Sequence, residues 1–154
     1  MKTLAGALAA LILTAACAKA QDDGSAGPEA QPAPTALFTI VTSADAQTQL
    51  MALTLTRASI ETGMDARVLL CGPAGDIALA DPPAAATAPQ GPMGGSPHGL
   101  LASLIEDGVT VQVCATYLPN STYGSDDLLD GVGSARPPEI AAVMAAPQTR
   151  LFTF

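Results

Sequence analysis

Two cysteines carry the chemistry that this sequence offers. RVLLC ends at Cys71 and VTVQVC ends at Cys114. Each closes a β-prone run and opens a turn-rich segment. A thiol at such a place can be a nucleophile, half of a disulfide, or a small apolar filler. The residues after Cys114, ATYLPN, cannot extend a strand, so the backbone N–H groups around 115–118 leave the ladder. Such groups, or a helix N-terminus that follows, favour a thiolate or a persulfide. Neighbouring strands lie about 4.8 Å apart, and a disulfide tolerates Cα separations up to about 7 Å. The pair can therefore bridge if the two strands are adjacent, and not if a third intervenes. The residues do not fix the strand order, so all three roles stay open.

Fewer signals surround them. Gly72 and Gly75 follow Cys71 and could cradle an anion, although GPAG is neither a dinucleotide nor a P-loop pattern. Loop mobility is the plainer reason for these glycines. Tyr117 and Asn120 belong to the loop after Cys114 and are candidates to line a small pocket. Asp76 and Asp81 read as solvated loop acids. His98 is the single histidine. With Cys71, Cys114 and Met93 it makes no metal-ligand spacing, and a solvated side chain is the expectation. There is no Gly-x-Ser-x-Gly and no Ser/His/Asp order, so hydrolase chemistry has no support.

The elements that must position the cysteines follow from periodicity. ALFTIVT (36–42) reads as a buried strand. Residues 45–62 place Leu50, Met51, Leu53, Leu55 and Ile60 on an apolar face. That predicts a helix, capped by Thr42, Ser43 or Asp45 and ended at Gly63. ARVLLC (66–71) is the second strand. Residues 72–96 read as a long Gly/Pro-rich loop with at most one helical turn near Asp76–Ala80; such a loop is usually functional or disordered. Ser96-Pro97 starts a helix to about 107, and VTVQVCAT is the third strand. A short helical turn at SDDLLDGV leads to a turn at Gly131 and Gly133, with room for a small strand. A helix from Pro137 to about Met144 and the closing strand TRLFTF complete the order. Alternating strands and helices imply right-handed crossovers and a mainly parallel sheet in a three-layer α/β/α fold. Ligands then gather beyond the C-terminal strand ends, where both cysteines fall.

The N-terminus reads as an export signal over residues 1–20: Lys2, the apolar core LAGALAALILTAA, and an Ala18-Lys19-Ala20 cleavage site. Thr14-Ala15-Ala16-Cys17 offers a second outcome, a lipoprotein anchored through Cys17. Residues 21–35 are a Pro/Ala-rich linker, and 36–154 the folded domain. The periplasm is the expected location. Removing residues 1–20 takes both lysines, leaving four arginines against fourteen acids, a net charge of −10. A polyanion-binding surface needs clustered cations, so nucleic acid is excluded as a partner. A membrane partner is expected only through a lipidated Cys17.

LFTIVTSADAQTQLMALTLTRASIETG, VLLCGPAGDIAL, LLASLIEDGVTVQVCATYLPN, DLLDGV and TRLFTF together resemble the DsrE/DsrF-like family over about residues 36–154. The strongest element is the V-x-V-C strand end after a Leu-Leu…Leu-Ile-x-x-Gly helix, followed by Asp-Leu-Leu-x-Gly-Val. The resemblance implies an about five-stranded parallel sheet, assembly as homo- or hetero-oligomers, with a homo-oligomer expected here, and a persulfide-carrying cysteine at the position of Cys114. It further implies a sulfur-donor or redox partner protein and no cofactor. Cys71 then becomes a candidate resolving or disulfide partner. An export signal, the second strand-end cysteine and the long 72–96 loop set this chain apart from the sulfur-relay members. A non-catalytic ligand-binding or assembly module with structural cysteines is the alternative.

Overall fold

A computed structural model describes residues 33–154. The export signal, Cys17 and the linker as far as residue 32 lie outside the described residues. The elements are β1 (Ala36–Val41), α1 (Ala46–Glu61), β2 (Asp65–Leu70), a 3-10 helix (Gly72–Ala78), α2 (Ala84–Thr87), α3 (Pro97–Glu106), β3 (Thr110–Val113), β4 (Val132–Ser134), α4 (Pro137–Ala145) and β5 (Thr149–Thr153). All strand pairs are parallel, in the order β4-β3-β2-β1-β5. This is the expected three-layer α/β/α fold with five strands.

The chain steps in one direction from β1 to β4, then returns across the sheet to β5. Parallel crossovers are right-handed, so reversing the direction of travel reverses the face on which the crossover helix lies. α1 and α3 accordingly share one face, and among the described residues α4 is the helix that covers the other. Strand alternation follows this division. Val41, Val68, Leu70, Val111 and Val113 join the α1/α3 core, all at most 1% exposed. Phe38 and Leu69 point to the α4 side, packed with Ala135, Ile140 and Val143. Thr39 is the polar exception inside β1, and its hydroxyl meets that of Thr56 in α1 at 2.8 Å. Among the described residues no buried side-chain polar atom lacks a partner.

Local signals explain the helix starts. Of the three candidate caps for α1, Asp45 takes the role, accepting from the Thr48 N–H at 2.8 Å. That bond and a second from the Thr48 hydroxyl hold its carboxyl below the usual carboxylate range. Ser96 caps α3, accepting from the Gly99 N–H, with Pro97 in the first turn.

Residues 72–96 correct the sequence reading. They hold two short helices, and a bridge between Gln90 and Gly95 closes the tip of the segment. Ala74, Gly75, Ile77 and Ala78 are buried. The helical turn expected near Asp76–Ala80 overlaps the 3-10 helix but misses its start at Gly72, because the buried residues of that helix repeat at three rather than 3.6 residues per turn.

Candidate functional site: a cysteine pair at the sheet edge

Leu70 and Val113 are register partners in β2 and β3. One residue further on, Cys71 and Cys114 are therefore partners too. Both are still tied to the sheet: the Cys71 N–H donates to Val41 O at 2.9 Å and the Cys114 N–H to Leu70 O at 2.8 Å. Alternation aims both side chains toward α4. Their Cα atoms are 5.0 Å apart, and the sulfurs are joined in a disulfide. The question of strand order is thus answered: no strand intervenes.

The bridge is half-buried against Phe38, Leu69 and Ala135, with Ile140 and Val143 of α4 closing over that cluster. The two cysteines, both half-buried, differ in what they border. A groove of about 310 Å³ runs between the turn after Cys114 and α4, bordered by Leu69, Ala135, Pro137, Ile140 and Met144. Cys114 lines it and Cys71 does not. The usual ligand crevice of an open parallel sheet lies where the strand order switches direction, here between β1 and β5. There Thr42 ties the two strand ends together, its N–H and hydroxyl donating to Phe154 O at 2.7 and 2.8 Å. The cysteine pair sits at the next strand pair but one.

The segments leaving the two cysteines are tied to each other. Tyr117, three residues after Cys114, donates its hydroxyl to Asp76 Oδ1 at 2.7 Å, five residues after Cys71. Burial, with Asp76 adding a hydrogen bond and its charge, pushes the Tyr117 phenol well above its ordinary range. Gly75 packs flat against the Tyr117 ring, and a Cβ there would run into it. Asp76 is thus an acceptor held by a buried phenol, not the solvated loop acid expected. The sequence carried no signal for this contact, because its members are 41 residues apart.

The other candidates fall as follows. Gly72 is exposed and turns the chain at φ +56, a conformation that side chains rarely adopt. Gly75 is buried for close packing rather than left free for mobility. Tyr117 is 8% exposed and covers the sheet edge. Asn120 is exposed, donating its side-chain amide to Thr116 O at 2.8 Å, which braces the turn after Cys114. None of the four borders the groove at Cys114. A helix N-terminus does adjoin the pair, but it follows Cys71, the residue preceding the 3-10 helix. His98 is half-buried rather than solvated, its Nδ1 lying 3.0 Å from Ile77 O. Met93 stands 93% exposed beside α1, across the sheet from the cysteines. Beyond the groove's rim, Arg136 pairs with Glu139. That hydrogen bond, more than any other influence, keeps the Glu139 carboxyl low.

No family model matches the chain, and no curated protein matches it. Solved structures do. The YchN protein from E. coli superposes with a TM-score of 0.61 at 22% identity, over 78% of this chain and 99% of its own. MTH1491 from Methanobacterium thermoautotrophicum, a protein of unknown function, gives 0.59 at 15% identity, over 77% and 99%. At these identities the likeness shows a shared compact α/β fold.

Proposed function

We propose that this is an exported DsrE-like protein in which Cys71 and Cys114 form an exchange-active dithiol/disulfide couple that handles sulfane sulfur or thiols. Cys114 is the sulfur that meets the co-reactant, and Cys71 resolves. The observation that carries this reading is the register partnership of the two cysteines at the C-terminal sheet edge, with a groove opening at Cys114 alone. The export signal read from residues 1–20 supports it, since an oxidising compartment maintains disulfides.

Starting from the reduced pair, the Cys114 thiolate attacks the outer sulfur of a persulfide R–S–SH. The S–S bond breaks, RS⁻ leaves, and Cys114 carries –S–SH. The Cys71 thiolate then attacks Cys114 Sγ and expels HS⁻, which restores the disulfide. The persulfide gains the two electrons that the dithiol loses. Neighbouring strand ends hold the second sulfur in reach, so the resolving step is intramolecular.

The test is mass spectrometry of the reduced protein after exposure to a persulfide donor. In Cys71→Ser the added sulfur should accumulate on Cys114. In the wild type it should leave as sulfide while the disulfide returns. If Cys71→Ser gains no sulfur under conditions that load a control thiol protein, the reading fails.

One observation favours a second reading. The bridge packs into an apolar cluster with Phe38 and Leu69, as a structural staple in a non-catalytic binding or assembly module would. A staple resists reduction until the fold opens.

A further inference from the structure

The groove beside Cys114 carries chemical information about the co-reactant. Nine residues line it, none is charged, and Thr116 supplies the only hydroxyl. Its wall on the α4 side is Pro137, Ile140, Ala141 and Met144, and its floor is Leu69 and Ala135. A carboxylate placed there would lose water and find only the Thr116 hydroxyl among the side chains in return, which is costly. Neither nearby cation lines the groove: Arg136 pairs with Glu139, and Arg67, two residues before Leu69 on the same face, donates to the neutral Gln112 Oε1 at 3.4 Å. Glu139 also feels the Arg67 charge. The chain beyond residue 20 is strongly acidic, with fourteen acids against four arginines, so anionic thiols are repelled on approach. At about 310 Å³ the groove is at the small end of ligand sites.

We infer that the groove selects a small thiol, persulfide or disulfide whose sulfur is borne on an uncharged alkyl or aromatic body, and discriminates against anionic thiols of the glutathione type. This rests on the exchange-active reading above and names the substrate class of the same site. The apolar body lies along Ile140 and Met144 and brings its sulfur to Cys114 Sγ. Specificity comes from the groove wall, and reactivity from the thiol.

The experiment uses the full chain carrying Cys17→Ser and Cys71→Ser, so that Cys114 is its single thiol. It is treated with methanethiosulfonates bearing butyl, benzyl, sulfonatoethyl or ammonioethyl groups. In each reaction the Cys114 thiolate attacks the sulfenyl sulfur, a mixed disulfide forms and methanesulfinate leaves. Rates are divided by those of free cysteine with the same reagent. The normalised butyl and benzyl rates should exceed the sulfonatoethyl rate by at least about tenfold, the discrimination that one or two buried methylenes supply. Met144 is 51% exposed, so Met144→Asp tests the wall without disturbing the core. It should shrink the butyl and benzyl advantage and raise the ammonioethyl rate. Equal normalised rates, or a preference for the sulfonate, would overturn the inference while leaving the exchange reading intact. A Cys114 inert to all four reagents in the folded protein would overturn both.

Discussion

Cys114 and Cys71 occupy equivalent strand ends, yet their surroundings differ in kind. Cys114 turns into a groove, whereas Cys71 leads into the packed 3-10 helix. The strand-end placement was legible in the sequence, because β-prone runs stopped at both residues. The groove beside Cys114 was not, because it depends on where α4 lies. Nor was the role of Tyr117, whose hydroxyl reaches Asp76 only once β2 and β3 are neighbours. A hydrogen bond to a charged acceptor is worth about 1.5 kcal/mol or more. Tyr117→Phe should therefore lower the urea-unfolding free energy of the oxidised protein by about that amount at pH 8. The pH dependence carries a second signature. The folded phenol is held above its ordinary value, whereas the unfolded one ionises near 10. The stabilisation is thus complete below about pH 10 and is lost as pH rises above it, by about 1.4 kcal/mol for the first full unit. Urea midpoints at pH 8 and ~11 should fall more steeply in the wild type than in Tyr117→Phe. Parallel declines would show that the phenol does not couple to folding.

Among the elements, the segment after β2 departs furthest from its sequence reading. Its glycines and prolines suggested mobility, but Gly75 is buried because the Tyr117 ring lies flat on it. Glycine is ambiguous in sequence, since close approach and freedom call for the same residue. The helices carried clearer signals. Asp45 and Ser96 cap α1 and α3 because each places a side-chain oxygen over the first turn. The 72–78 helix and the turn after Cys114 thus behave as one clamp across the strand ends. Gly75→Ala should cost about 1–3 kcal/mol by overpacking. In a Tyr117→Leu background the same substitution should cost less than half as much, since contacting residues couple. Additive losses in denaturant titration would refute the clamp.

For the whole molecule, the direction of chain travel decides where chemistry can occur. Stepping from β1 to β4 and back to β5 leaves, among the described residues, one helix, α4, over the cysteine face, with a groove beside it. The strand–helix alternation made the fold class legible. The fifth strand was foreshadowed by the family resemblance and by room for a small strand at Gly131 and Gly133; β4 is three residues long and too short to show a period. The bridge joins residues 43 apart. A loop of that length is worth about 4 kcal/mol in the chain-entropy model, so stabilisation alone would be reason enough to keep it. What separates a redox couple from a staple is therefore whether the bond opens while the fold stays closed. The direct measurement is the rate of reduction of the Cys71–Cys114 disulfide against concentration of a small neutral thiol, set beside the unfolding rate of the oxidised protein. The exchange-active account predicts reduction that rises in proportion to thiol concentration and passes well above the unfolding rate, with the first mixed disulfide on Cys114. Reduction that saturates at the unfolding rate, whatever the thiol concentration, would contradict it and leave the bridge as a staple.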